Sequence, residues 1–156
     1  MTKRIDVAAL PSIVGTLYPP PYDEPCLTRE RKRLGDIAGL TQYGVNFLRL
    51  PPGAWSSQRH WHTAEEEFVY VLSGELTLVT DDGEEIFRAG DCAAFPKNTP
   101  NGHHFINQSN APATLLEIGT RPGNDVCHYP DIDLHIDEKI SVYTHKDGTP
   151  YPEPMK

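Results

Sequence analysis

Long apolar runs are missing from this chain. None approaches the roughly 18–20 residues that a membrane-spanning helix needs, so no membrane partner is expected. Basic residues are outnumbered: 14 Lys and Arg face 22 Asp and Glu, for a formal net charge of −8. The acid is spread along the chain, and no basic patch or stripe offers a footprint for nucleic acid. The nearest approach is Arg29-Glu30-Arg31-Lys32-Arg33, which reads as a solvated surface turn. Cysteine is scarce as well. Cys26, Cys92 and Cys127 are odd in number and far apart, which fits reduced thiols and not a disulfide framework. The first residues lack the basic-then-apolar layout of a secretory signal, and a cytoplasmic location is expected. A convincing helical period is also lacking. Arg33 to Leu40 is the best candidate, and Gly35 and Gly39 weaken it.

What the chain does have is short runs with period two. Gly44 to Leu50, Phe68 to Leu72, Glu75 to Thr80, Glu84 to Arg88, Cys92 to Phe95, His103 to Asn107 and Thr114 to Gly119 all read as strands. Asp81-Asp82-Gly83 is a hairpin signal. Many short strands with turn signals between them predict an all-β sandwich or barrel, and 156 residues suffice for a single core. Residues 1–42 are rich in Pro and turn formers, including Tyr18-Pro19-Pro20-Pro21-Tyr22, and should form an extended arm. The arm carries Val7, Leu10, Ile13, Val14 and Leu17, so it should pack on the barrel of residues 43–120 or on a neighbouring subunit. Residues 121–156 form a tail in which Ile140 to Thr144 looks like an added strand and Asp147-Gly148 like a tight turn.

The densest chemistry lies in Arg59-His60-Trp61-His62-Thr63-Ala64-Glu65-Glu66-Glu67. His60 and His62 are two apart, so in a strand they point to the same face. Two imidazoles and a carboxylate from the next strand make most of a metal site. Glu65 and Glu66 compete for the carboxylate role and otherwise read as solvent-exposed. Alternation and the spacing to Gly74 favour Glu67. Gly90, Pro96, His103 and Asn107 then follow at spacings that fit a returning strand, with His103 as the fourth ligand. His104 should point away from it, as a surface or packing residue. Phe105 and Asn107 share the inward face with His103 and are both candidates for the pocket lining, and Asn107 would also hold a turn by hydrogen bonds. Tyr70 is a further candidate for the pocket lining. Trp61 should face outward, under the arm or a subunit. Arg49 and Arg59 could bind an anion bidentately, though exposure is the simpler role. His128, Tyr129, His145 and Lys146 could cap a pocket mouth.

Gly53, His60, His62, Glu67 and Gly74 resemble the first motif of the cupin superfamily, with one extra residue between Gly53 and His60. Gly90, Pro96, His103 and Asn107 resemble its second. Asn98 stands where that motif has a glycine, and the loop to the histidine is two residues longer. Asn is the next most tolerant residue of left-handed backbone after Gly. The longer loop leaves His103 and His104 both open, and the spacing to Asn107 favours His103. The resemblance implies a jelly-roll β-barrel with a metal site and, by family habit, a homodimer. Arm and tail together resemble a bacterial group of small cupins labelled sugar-phosphate isomerases.

The expected cofactor is a divalent transition metal (Fe, Zn, Mn or Ni), a choice the sequence leaves open. Three His and one Glu leave coordination positions free, as catalytic sites do. The leading expectation is therefore a metalloenzyme acting on a small polar, oxygen-rich molecule, by isomerisation or by dioxygen chemistry. The alternative is a non-catalytic module that binds or senses a small molecule.

Overall fold

The computed structural model describes residues 4–152; residues 1–3 of the arm and 153–156 of the tail lie outside it. In chain order the strands are β1 (Ile13–Val14), β2 (Glu30–Arg33), β3 (Tyr43–Leu50), β4 (Trp61–His62), β5 (Glu67–Ser73) and β6 (Glu75–Thr80). They continue as β7 (Gly83–Arg88), β8 (Cys92–Phe95), β9 (His104–Ile106), β10 (Ala113–Thr120), β11 (Val126–His128) and β12 (His135–Asp137). The helical candidate shrinks to one turn, α1 (Leu34–Ile37).

The strands form a six-stranded sheet in the order β1-β2-β3-β10-β5-β8, and two three-stranded sheets, β12-β11-β4 and β7-β6-β9. The smaller sheets meet at one point. His60, just before β4, and His103, just before β9, form an antiparallel bridge. Together they build a second, interrupted face opposite the large sheet.

Alternation decides what each strand buries. Along β5, Val69 and Val71 face inward while Phe68, Tyr70 and Leu72 remain exposed. Leu48 and Leu50 of β3, Leu76 and Leu78 of β6, Phe87 of β7, Phe105 of β9, and Ala113 and Leu115 of β10 complete this core. Gly74 makes the turn from β5 to β6 with φ +79°, and a Cβ there would lie 2.8 Å from the Cα of Ala113. Asn98 takes a φ of 53°, so it does adopt the left-handed backbone expected of it.

A second core lies between arm and tail, where Tyr18 and Cys26 pack against Cys127, Tyr129 and Leu134. Within this chain the arm extends the large sheet, since β2 pairs with β3 from Glu30↔Arg49 to Arg33↔Asn46. The tail strands differ from expectation. They are β11 and β12, whereas Ile140 to Thr144 makes only isolated bridges, both at Thr144, to His135 and to Pro150. Ile140 and Val142 are exposed. The expected turn at Asp147-Gly148 is present, with the Gly148 N–H donating to the His145 carbonyl at 2.9 Å.

Candidate metal centre

β4 is two residues long and pairs with β11, His62 opposite Cys127 and Trp61 opposite His128. The tail therefore holds this strand in place. His60 and His103 exchange backbone hydrogen bonds: the His60 N–H donates to the His103 carbonyl at 3.2 Å, and the His103 N–H to the His60 carbonyl at 2.9 Å. Glu67 opens β5 on the opposite sheet, on the same face as Val69 and Val71. The histidines and the glutamate thus approach from two sheets.

They meet at one atom. The Nε2 of His103 lies 2.7 Å from Glu67 Oε2, that of His60 3.4 Å and that of His62 3.6 Å. Ligand atoms of His60, Glu67 and His103 all fall within 4.8 Å of one another. His62 forms further groups of the same kind, with His60 and Cys127 and with Glu65 and Asp125. Neutral imidazoles and a carboxylate suit Zn, Fe, Mn or Ni, so this donor set fits the metal that the sequence led us to expect.

The outer nitrogens of the rings are held as well. His60 Nδ1 lies 2.8 Å from the Gln58 carbonyl, and His62 Nδ1 lies 2.5 Å from Asp125 Oδ2. Because a carbonyl only accepts, His60 must carry its proton on Nδ1, leaving Nε2 free to ligate. Asp125 Oδ1 accepts the N–H groups of Ala64 at 2.8 Å and Glu65 at 3.0 Å. His103 stacks flat on Phe95, with ring centroids 3.6 Å apart and planes 5° from parallel.

The electrostatics follow from these contacts. Burial opposes a charge on His62, but Asp125 and Glu67 outweigh it and raise its pKa to about 10. Burial likewise opposes the Asp125 carboxylate, and the His62 bond and two N–H donors bring its pKa down to about 2. Glu67 is held well below the usual carboxylate range; its surrounding imidazoles outweigh its burial. Glu65 is pushed up to about 7, chiefly by burial.

Asp125→Asn is expected to weaken metal binding about 10–100-fold. An asparagine that keeps its oxygen on Ala64 and Glu65 turns its NH2 group toward His62 Nδ1. That moves the imidazole proton to Nε2, the nitrogen the ion needs. Calorimetric titration of zinc into both forms measures this, and an unchanged affinity would show that Asp125 does not set the His62 tautomer.

The other singled-out residues separate clearly. Phe105 is buried in the core, edge-on to Phe87 with centroids 5.5 Å apart, and supports the site from beneath. Asn107 is fully buried; its amide donates to the carbonyls of Leu50 and Ala111, each at 2.8 Å, and its Oδ1 accepts from Ser109. It holds a turn, as expected, and does not face a cavity. Tyr70 lies on the outer face of β5 at 39% exposure, away from the site. Its parity is opposite to that of Glu67. His104 is a packing residue, edge-on to Trp55 with its Nδ1 2.9 Å from the Ser57 carbonyl. Trp61 faces outward, and it is the tail that covers it: His128 stacks on it at 4.3 Å.

Arg59 makes a two-pronged pair with Asp131, both contacts at 2.7 Å, and a further one with Asp81, so its charge is committed. Arg49 pairs with Glu30 at 2.8 Å. His145 is tied to Asp133 at 2.7 Å, outside the site. Glu66 is exposed as expected, whereas Glu65 is half-buried, 3.6 Å from His62 Nδ1. Asp125, Cys127 and Tyr129 come from the tail, and only Tyr129 carried any signal in the sequence.

Of the cavities that touch the ligand set, two are each lined by two of its histidines together with Glu67 and exceed about 300 Å³. One, of about 380 Å³, has apolar walls from Leu78, Phe87, Ala93 and Phe95. The other, of about 410 Å³, lies under the arm and tail and is lined by Arg29, Arg31, Glu117, Tyr18, Tyr129 and Tyr143.

Antiparallel sheets enclosing three histidines and a glutamate define a small β-barrel with a candidate metal centre. The family model described as "Cupin domain" matches residues 46–119. A solved structure from Silicibacter pomeroyi, titled a sugar phosphate isomerase from a cupin superfamily, is 43% identical with a TM-score of 0.90, over 96% of this chain and 97% of that one. A second, from Acidithiobacillus ferrooxidans and titled a putative sugar phosphate isomerase, is 32% identical with a TM-score of 0.70, over 75% and 74%. Protein SchB of Streptomyces halstedii is 32% identical over 94 residues, 55% of this chain and 66% of that relative's length. The chain belongs to the cupin superfamily.

Proposed function

We propose that this protein is a metal-dependent cupin enzyme that isomerises a small, oxygen-rich molecule of the sugar-phosphate kind. The observation that carries the reading is the convergence of the Nε2 atoms of His60, His62 and His103 on Glu67 Oε2 beside two cavities. The names of the two solved relatives, which both include sugar phosphate isomerase, suggest the reaction class. A divalent ion held by these four residues would act as a Lewis acid on a substrate carbonyl or hydroxyl. The chain's own contribution is shape and proton handling. Isomerisation needs a group that takes a proton from one carbon and returns it to the next. Glu117 on the cavity wall is such a group, and burial pushes its pKa up, which favours a carboxyl that can carry a proton. Tyr18, Tyr129 and Tyr143 give this cavity an aromatic wall.

The test is the metal content of freshly purified protein, prepared without chelator or a nickel column, followed by turnover assays on sugar phosphates. Near-stoichiometric zinc, manganese or nickel is expected, with turnover that disappears when the ion is removed. Iron that oxidises in air would redirect the search to dioxygenase substrates. Protein that carries no metal and takes none up would overturn the reading. Ligand-dependent melting shifts without turnover would favour a binding module.

We also propose a homodimer in the cytoplasm. Phe68, Tyr70 and Leu72 stand exposed along β5, with Tyr43 on the same sheet. A contiguous apolar face of this sort is uncommon on a monomer. Light scattering at micromolar concentration is expected to give twice the chain mass, and a monomeric mass would refute the dimer.

A further inference from the structure

The basic run that reads as a solvated turn is not all solvated. β2 pairs with β3 so that Arg31 stands opposite Leu48, which is fully buried on the inner face. Alternation sends Glu30 outward to Arg49 and Arg31 inward. Arg29, two residues earlier, is 6% exposed. Both arginines line the cavity that also contains His60, His62 and Glu67.

Their charges are poorly matched. Arg29 donates from Nε to the Gly15 carbonyl at 3.0 Å and from Nη1 to the Ser56 carbonyl, and neither acceptor is an acid. Arg31 has one acidic neighbour, Glu117, at 3.7 Å, too far for a hydrogen bond. Its Nε is buried with no partner among the described residues. Within 4 Å the two guanidinium groups find one carboxylate, that of Glu117, while the other acids of the cavity, Glu65, Glu67, Asp125, Asp137 and Glu138, lie farther off. Burying the Arg29 cation without a counter-charge is unfavourable, and the unused donors of Arg31, whose side chain is 26% exposed, form a planar fork suited to two oxygens of one anion. Tyr18, Tyr129 and Tyr143 border the same space, and burial raises each of their pKa values. Near neutral pH they are uncharged hydroxyls able to donate.

We propose that Arg31, backed by Arg29, receives an anionic group (a carboxylate or a phosphate monoester) of the molecule that fills this cavity. The inference deepens the enzyme reading: it rests on that reading for the far end of the substrate, at the ligand set, and names the anionic end. The anion displaces the 3.7 Å contact with Glu117 and leaves that carboxyl free to handle a proton.

The test is calorimetric binding of inorganic phosphate and of glycolate to the protein as purified, with its metal. Wild type is expected to bind at least one, and the preferred probe distinguishes phosphate from carboxylate recognition. Arg31→Gln is expected to weaken that binding about tenfold or more, the loss of a charge-assisted hydrogen bond. Arg49→Gln, on the outer face, should leave it unchanged. Should Arg31→Gln not fold, nitrogen NMR of wild type reads the same point: the Arg31 Nε–H resonance shifts as anion is added. The inference is overturned if neither probe binds, if Arg31→Gln binds as tightly as wild type, or if that resonance stays put. Metal content separates the two readings. Arg31-dependent anion binding by protein that takes up no metal would sink the enzyme reading and leave the anion site standing.

Discussion

His60→Ala is expected to bring bound metal from near-stoichiometric to background. His60 belongs to two of the candidate ligand groups, one with Glu67 and His103 and one with His62 and Cys127, so its loss breaks both. Its ring also spaces its neighbours, with centroids 4.9 Å from His62 and 4.8 Å from His103. Losing an outer partner of a ligand costs about 10–100-fold in affinity, so losing a ligand should exceed about 100-fold. Elemental analysis of both proteins measures the outcome. Melting curves give an independent reading: an ion at a hundred times its Kd stabilises wild type by about 2.7 kcal/mol, and the variant should show no such shift. His128→Ala, which removes the ring stacked on Trp61, should retain its metal. If His60→Ala kept stoichiometric metal, the proposed centre would be wrong.

Gly74→Val is expected to be the most destabilising single change away from the centre. Gly74 holds a φ of +79°, and a Cβ would lie 2.8 Å from the Cα and Cβ of Ala113 and from the Pro112 carbonyl oxygen. Left-handed strain costs about 1–3 kcal/mol, overpacking adds about 1–3 kcal/mol, and a loss of about 4 kcal/mol in denaturant unfolding is expected. The close neighbours are largely backbone, so the clash cannot be relieved by a rotamer change. A loss under about 1 kcal/mol would mean that the β5–β6 turn can rearrange. This contact gives the motif glycine a physical reason: the turn passes directly over the start of β10.

The barrel was legible because its signals are local. Alternation in β3, β5, β6 and β10, and turns at Gly74, Asp81-Asp82 and Asn98, each depend on a few adjacent residues. Parity could separate Glu67 from Glu66, and the spacing to Gly74 could separate it from Glu65. Parity also shows where the reading of Tyr70 fails, because counting from an inward Glu67 puts Val69 and Val71 inside and Tyr70 outside. The partners of the ligands were not legible. Asp125 meets His62 across 63 residues, and nothing near either residue announces the contact. Arg31 was hidden for a related reason: its direction depends on the pairing of β2 with β3, while its own neighbours in sequence are charged and look solvated. Ile140 to Thr144 shows the reverse error, a good strand composition that found no sheet to join.

The pairing of β4 with β11 has a consequence for how the protein is made. A chain growing on a ribosome exposes His60, His62, Glu67 and His103 well before residues 125–129 are added. Until then β4 has no partner strand, and His62 has no carboxylate to orient it. His62 reaches its final setting only when the tail docks, after nearly all of the barrel has emerged. In the proposed reading, the full ligand set is therefore complete only once the tail has docked, with His62 the last ligand to be set.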